Sequence, residues 1–313
     1  MAGTQKIFNH LSTLIFLVCA IYFKWSVSAY TLLHKNKHED SHDLPEYQQV
    51  IFVPLVTGAV CYIYKKAVIH IMSPAFLLIV KDQHDKNLAN ARAEKASIAF
   101  AKTCYYVCNS IWAYGLIKNT NFMPWYLGGS GSIENCFENA PLTPQIDGLL
   151  NYSLVSMGYH LGDLIEHWTI REKGNDYWEM TVHHVLTVAL FGGMILQNFI
   201  RIGVVVSFVH QASDIFSSSS RVLSHTTLSR LTSVWFLCGT MSAWPYLRNF
   251  AMPMLTYSAW TMANYSAPFE SFYALHYTLA FFLSVLSVMH VYWTYLFFRI
   301  IFKYFETGAT EDI

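Results

Sequence analysis

Apolar residues occur along the chain in long uninterrupted stretches rather than in alternation with polar residues. A membrane-spanning helix needs about 20 mostly apolar residues, and about eight stretches approach that length. Because backbone groups in lipid must be hydrogen-bonded within the spanning segment, each stretch is expected to be helical. The pattern therefore predicts an all-α fold, a polytopic membrane helix bundle with about seven or eight transmembrane helices. The predicted spans are residues 7–30, 50–80, 97–118, 148–168, 181–198, 202–220, 228–247 and 272–302.

The first stretch has two interpretations. Leu11–Phe23 has the length of a signal-peptide core, and Val27-Ser28-Ala29 resembles a cleavage site. The other interpretation is an uncleaved transmembrane helix, which Lys24 favours because a charge between core and cleavage site is atypical. Both interpretations put the start of the second span on the same side of the membrane.

The charges of two connections predict the orientation of the bundle. The connection 119–146 has no basic residue, whereas five lie in 81–102: Lys81, Lys86, Arg92, Lys95 and Lys102. Basic residues in short loops stay in the cytosol, so 81–102 is assigned there and 119–146 to the opposite side. The chain then divides into N-terminal transmembrane helices with a basic cytosolic linker (1–96), a membrane domain (97–303) and a short cytosolic tail (304–313).

Composition agrees with a membrane protein and adds one signal. Hydrophobic residues make up 54% of the chain and charged residues only 13%, against about 25% charged in ordinary soluble domains. Twenty basic and twenty acidic residues cancel, so no net field favours nucleic acid as a partner. The six cysteines form no CxxC pair, which argues against a zinc ribbon. Fourteen histidines are present, several of them beside acids.

Ionisable side chains inside the predicted spans are functional candidates, because they are costly to bury in lipid. The fifth span contains His183 and His184, and the sixth contains His210 and Asp214. At 1.5 Å of rise per residue, His183 and Asp214 lie roughly 25 Å and 21 Å from the tight connection at 198–202. These depths are nearly level on antiparallel helices, and His210 and Asp214 share a face by their spacing. We therefore predict imidazoles and a carboxylate around a cavity near the cytosol.

Such a group of side chains suits acyl transfer to an amine. Imidazole can act as a general base, or as a nucleophile that forms an acyl-imidazole. A carboxylate beside it fixes the tautomer of the ring and stabilises the imidazolium. Three other readings stay open: a hydrogen bond between helices, a proton relay of a channel or transporter, and a zinc or iron site. The repeated HxxHH boxes expected of a di-iron lipid oxidase are missing, so no metal is assigned.

A second polar group lies on the fourth span. His160, Asp163 and His167 share one helical face by their spacing. They either extend the polar cavity or form a helix end whose long side chains reach the membrane surface. His160 and Asp163, together with Arg201 at the tight connection, are the candidates for binding substrate.

Several segments together resemble the signature of the ceramide synthases, the longevity-assurance proteins of the TLC-domain superfamily. The resemblance covers about residues 97–303. In the family a His-His pair is followed by Thr, then by Asn and Arg-x-Gly, then by His-Asp-x-Ser-Asp. The matching segments are Asp176–Thr187, Asn198, Arg201-Ile202-Gly203, His210–Asp214, Trp244–Arg248 and His290–Tyr295.

The resemblance implies N-acylation of a sphingoid base with a fatty acyl-CoA, by a multi-pass protein of the endoplasmic reticulum membrane. It implies a TLC-type core that encloses a lipid cavity, no cofactor besides acyl-CoA as substrate, membrane lipids as partners, and a homodimer or an accessory membrane subunit. His183 and His184 would be the catalytic pair, supported by His210 and Asp214. Gln211 stands where the family has Asp. A second interpretation is therefore a TLC-domain protein with lost or altered catalysis, a lipid binder or a structural subunit of a membrane complex.

Overall fold

A computed structural model describes residues 2–35, 46–144, 146–170, 174, 176–262 and 270–307. Residues 36–45 of the N-terminal segment and residues 308–313 of the predicted tail lie outside this part. Its regular secondary structure is helical, with two isolated β-bridges and no named strand within the described ranges. The prediction of an all-α fold is confirmed.

The long helices follow the apolar stretches closely. They are α1 (Ala2–Lys35), α2 (Tyr47–Leu77), α3 (Lys86–Ile117), α4 (Leu149–Thr169), α5 (Tyr177–Leu196), α6 (Ile200–Ser224) and α10 (Glu270–Thr307). Four segments in the described ranges are long and apolar enough to cross a membrane: Thr13–His34, Tyr47–Leu77, Tyr177–Leu196 and Tyr273–Glu306. A membrane protein is therefore supported by length and composition.

The segment between α6 and α10 differs from the prediction. A seventh span over residues 228–247 was expected from the sequence. Instead the chain stays helical to Thr261, because two wide π-helical turns interrupt the α-helix without ending it. Pro245 is the first residue of the second π turn, where a missing N–H is best tolerated. The elements are α7 (Ser229–Val234), a π turn (Trp235–Thr240), α8 (Met241–Trp244), a second π turn (Pro245–Ala251) and α9 (Met252–Thr261).

The described residues form two compact units. The first unit comprises Met1–Cys61, Leu116–Val205 and Leu255–Leu286. Within it α1 and α4 both pack against α5. Its largest fully buried side chains are mostly aromatic: Tyr22, Tyr30, Tyr152, Phe122, Phe137, Phe199 and Phe282.

Helices α2 and α4 cross in the first unit at glycines. A Cβ atom added at Gly158 would lie 2.6 Å from the Pro54 carbonyl oxygen, and one at Gly162 would lie 3.2 Å from that of Gly58. The spacing of Gly158 and Gly162 on α4 is the small-xxx-small pattern that lets membrane helices approach closely. The crossing holds the part of α4 that carries His160.

We expect Gly158→Ala to lower stability markedly. The new methyl group would meet backbone atoms of α2, and we place its steric cost toward the upper end of about 1–3 kcal/mol. Gly115→Ala is the matched control, because a Cβ atom there has no neighbour within 4 Å; it should be neutral or stabilise helix α3 by up to about 1 kcal/mol. Thermal melting of the detergent-solubilised protein checks both. Equal melting temperatures for the two variants would contradict the close crossing.

The second unit comprises Tyr62–Gly115, Val206–Met254 and Ser287–Ile313. Its apolar core includes a cluster of buried side chains from α2, α3 and the connection between them: Phe76, Val80, Ala89, Ala93 and Ala96. The hydroxyl of Ser219 accepts a hydrogen bond from the Trp235 indole at 2.7 Å, and those of Ser220 and Thr240 are 2.7 Å apart. These contacts fasten the end of α6 to the first π turn.

Candidate active site

The histidines of α5 form a chain of imidazole rings with a histidine of α4. The ring centre of His184 lies 5.6 Å from that of His183 and 5.4 Å from that of His167. His184 and His167 are buried, at 6% and 3% exposure, whereas His183 is only half-buried. Because successive helical residues point about 100° apart, His184 packs inward and His183 is the ring better placed to meet a ligand.

His167 is held in one tautomer by its neighbours. Its Nε2 lies 3.1 Å from the Tyr177 carbonyl oxygen and 2.9 Å from the Thr181 hydroxyl. That hydroxyl donates its own proton to the same Tyr177 oxygen, at 2.8 Å, so both atoms accept from the ring. The proton of His167 is therefore on Nε2. Tyr177 also stacks on the ring at 4.6 Å, which fixes the start of α5 against α4.

Another histidine of α4 contacts the same helix. His160 stacks on Phe191 of α5 with a ring distance of 5.3 Å, and Asp163 is buried at 7% exposure. Two of the three residues expected to share a face, His160 and His167, thus contact α5. A role of His160 and Asp163 in binding substrate stays a prediction.

Arg201 contacts the connection 119–146. It donates to the carbonyl oxygens of Asn135 and Pro144, both at 3.3 Å, and its guanidinium lies 5.7 Å from the Phe122 ring centre. Within this loop, burial raises the pKa of the Cys136 thiol despite the nearby Arg201 charge, so the thiol is not a candidate nucleophile. Arg201 and His183 are separated by most of α5, about 20 Å at 1.5 Å per residue. The observed role of Arg201 is to anchor the loop; binding of substrate by it stays a prediction.

Asn198 completes the attachment of this loop. Its side-chain amide donates to the carbonyl oxygens of Pro141 at 2.6 Å and Thr143 at 3.0 Å. Its backbone φ is 60°, a left-handed conformation that Asn tolerates better than most residues. The tight connection predicted at 198–202 is therefore both a turn between α5 and α6 and a clamp on the loop.

The second unit contains a buried arginine that the sequence did not mark as part of the site. Arg248, in the second π turn, is 1% exposed. Its Nη2 donates to Asp214 Oδ1 at 2.7 Å and to the His210 carbonyl oxygen at 2.9 Å. Its Nε donates to the Ser213 hydroxyl at 2.5 Å. One guanidinium therefore binds three neighbouring residues of α6.

The remaining contacts of Arg248 fix the plane of the guanidinium. Its Nη1 lies 2.8 Å from Nε2 of His290 on α10, and its centre is 4.7 Å from the Trp244 ring centre. The Trp244 indole in turn donates to the Thr294 hydroxyl at 3.0 Å. The guanidinium is thus held by α6, the π turn and α10.

These contacts correct the expected role of Asp214. The carboxylate was expected to fix the tautomer of an imidazole, but it is paired with Arg248. His210 instead donates from Nδ1 to the Val206 carbonyl oxygen at 2.8 Å, so the backbone sets its tautomer. A buried guanidinium stays charged and is costly without a counter-ion, which explains why Arg248 takes the carboxylate. Gln211 is buried nearby and donates to the Ser207 hydroxyl at 3.0 Å.

The structure adds three residues to the candidates: His167 in the first unit, and Arg248 and His290 in the second. A signal for each was present, because His167 shares a helical face with His160 and the other two lie in segments that carry the family resemblance. None of them marks its partner by spacing, since Arg248 is 34 residues from Asp214 and 42 from His290. Across the described ranges, no group of three or more His, Cys, Asp or Glu side chains is arranged to hold a metal ion.

The matches found by comparison with known proteins agree with one another. The family model of the TLC domain matches residues 95–299. The ceramide synthase hyl-1 of Caenorhabditis elegans is 24% identical over 233 residues, covering 71% of this chain and 61% of that protein. Human ceramide synthase 5 is 25% identical over 215 residues, 66% of this chain and 50% of that protein. Ceramide synthase LOH2 of Arabidopsis thaliana is 30% identical over 158 residues, 47% and 50% of the two chains. The matches span about half to three fifths of these relatives.

Proposed function

The chain belongs to the TLC-domain family, and on that basis we propose that it is a sphingoid base N-acyltransferase that makes ceramide or dihydroceramide from a fatty acyl-CoA. The observation that carries the proposal is the pair of imidazoles on α5. His183 is half-buried and can reach a ligand, while His184 is packed against His167. A general base or nucleophile must reach the substrate and must be held in position by its neighbours, and this pair offers both.

The reaction needs one proton acceptor and one acyl donor. The amine nitrogen of the sphingoid base forms a bond to the thioester carbonyl carbon, and the carbon–sulfur bond breaks. The amine proton passes to the imidazole of His183. Coenzyme A leaves as a thiolate with the electron pair of the broken bond and takes that proton from the imidazolium. If His183 first takes the acyl group as an acyl-imidazole, the same product forms in two steps.

The location, the topology and the supporting residues in this proposal are those expected from the sequence. The protein lies in the endoplasmic reticulum membrane with seven or eight transmembrane helices, counted at about 20 residues each. The TLC-type core encloses the acyl chain and opens to the cytosol for coenzyme A. His210 and Asp214 support the reaction, and His160, Asp163 and Arg201 contact substrate.

Ceramide formation in cells that lack their own synthase activity tests the proposal. We expect the wild-type protein to convert isotope-labelled sphinganine to labelled ceramide above an empty-vector control, and His183→Ala to give the control level. Acyl-CoAs of several chain lengths should be supplied together, so that a narrow preference is not missed. If the wild type and His183→Ala form equal amounts of labelled ceramide, the proposal that this chain is an N-acyltransferase is wrong. Correctly inserted wild-type protein without product would favour a non-catalytic lipid binder of the same family.

A further inference from the structure

The buried contact between Arg248 and His290 has no role in the reaction as proposed above. We propose that His290 is a positioning residue: it accepts a hydrogen bond from Arg248, thereby holds the His210–Asp214 stretch of α6 in place, and transfers no proton. The kinetic consequence rests on the proposed function. The structural part can be tested on protein that makes no ceramide.

The chemistry of the two side chains determines which atom donates. A guanidinium has five N–H donors, no acceptor, and stays protonated in proteins. Since Arg248 Nη1 lies 2.8 Å from His290 Nε2, Nε2 must present its lone pair, and the ring proton is on Nδ1. His290 is fully buried. It cannot take up a proton at Nε2 while that lone pair holds the guanidinium.

The contact orients α6 because Arg248 has bonds at both ends. On one side the guanidinium binds the Asp214 carboxylate, the Ser213 hydroxyl and the His210 carbonyl oxygen. On the other side His290 accepts a hydrogen bond from one of the two Nη1 protons. Without this acceptor, a buried donor of a charged group would lose its partner, which is unfavourable enough to make the guanidinium move. Its movement would carry the three bonded groups of α6 with it.

His210 has the same tautomer as His290 but a different partner. Its Nδ1 donates to the Val206 carbonyl oxygen, so the lone pair of the neutral ring is on Nε2. The ring centres of His210 and His290 are 4.9 Å apart. Both neighbouring imidazoles therefore carry the ring proton on Nδ1. They differ in their partners: Nε2 of His290 accepts from Arg248, whereas Nδ1 of His210 donates to the backbone of α6.

Two substitutions separate the hydrogen bond from the ring. His290→Gln removes the titratable ring but ends in an amide oxygen at about the position of imidazole Nε2, where it can accept from Arg248. His290→Phe keeps a ring that packs beside His210 and Trp244 but has no acceptor. His276→Phe controls for the general effect of replacing a buried imidazole on α10, because His276 bonds to the Ala259 carbonyl oxygen instead.

We expect His290→Gln to melt close to wild type and His290→Phe to melt clearly lower, when measured on detergent-purified protein. Below its melting range, His290→Phe should lose about 10- to 100-fold in kcat, as displaced supporting residues commonly do. Its KM for acyl-CoA should stay within about twofold, and His290→Gln and His276→Phe should keep kcat within about threefold.

Each other outcome overturns the inference. If both His290 variants lose activity equally while folded, the ring itself is needed for catalysis. If His290→Phe is as stable and as active as wild type, the hydrogen bond to Arg248 positions nothing. If His290→Gln fails to fold while His290→Phe folds, the acceptor role is wrong. Absence of ceramide from the wild type would refute the proposed function alone, because the melting comparison does not depend on it.

Discussion

Alanine at His183 is expected to lower the rate of sphingoid base N-acylation by about 10²- to 10⁴-fold, the usual effect of removing a general base. The His183 side chain is half-buried, whereas that of His184 is buried against His167. We therefore expect His183 to contribute less to packing. The melting temperature of His183→Ala should therefore stay close to that of the wild type. Initial rates of labelled ceramide formation by purified protein check the first effect.

His184→Ala should differ from His183→Ala in stability rather than in rate. Removal of a buried ring that packs on His167 leaves a cavity between α4 and α5, and such cavities are destabilising. We expect a comparable loss of activity together with a lower melting temperature. His70→Ala, at an exposed imidazole of α2, is the control and should change neither. A His183→Ala rate within a factor of three of wild type would contradict its role as base or nucleophile.

Replacing Arg248 with methionine is expected to cause the largest loss of stability. The arginine side chain is 2% exposed and its partner Asp214 is 24% exposed. Breaking a buried ion pair from one side typically costs about 3–5 kcal/mol, and the partial exposure of the carboxylate places this pair toward the lower end. The double variant Arg248→Met/Asp214→Leu should recover much of the loss, because neither buried charge is then left alone.

A less deeply buried ion pair supplies the control for Arg248→Met. Arg92 and Asp82 are 2.8 Å apart, with side chains 16% and 34% exposed, and such pairs contribute about 1 kcal/mol or less. Arg92→Gln should therefore shift thermal unfolding only slightly. If Arg248→Met melts like Arg92→Gln, or if the double variant is less stable than Arg248→Met, burial of the charge is not what makes Arg248 important.

The helices could be predicted from the sequence because lipid imposes a local rule. Hydrogen bonding within each apolar stretch fixes its secondary structure, so the bounds of α4, α5 and α6 lie within a few residues of the predicted spans. That the helix continues through Pro245 could not be predicted in this way. A proline ends a helix or widens it according to what packs around it, and that packing involves Thr294 and His290 on a distant segment.

The site shows the same division between local and distant information. The expectation that His183 and His184 on α5 lie level with His210 and Asp214 on α6 comes from helical geometry alone and stays a prediction. The partner of Asp214 could not be predicted in this way. The sequence put Arg248 in the connection after the seventh predicted span, whereas its pairing with Asp214 requires the π turn. The anchoring role of Arg201 likewise depends on how the loop 119–146 folds back, for which the sequence contains no periodic signal.

The second π turn has a bearing on how this chain should be aligned with its relatives. A π turn accommodates one residue more than an α-helical turn, so a related protein lacking one residue between 245 and 251 would regain regular α geometry. The wider turn absorbs the extra residue, so the helix on each side would keep its faces, and the position of the gap within 245–251 would determine which residue is aligned with Arg248. Placement of a single gap in this segment therefore decides whether a relative is scored as having the arginine or lacking it.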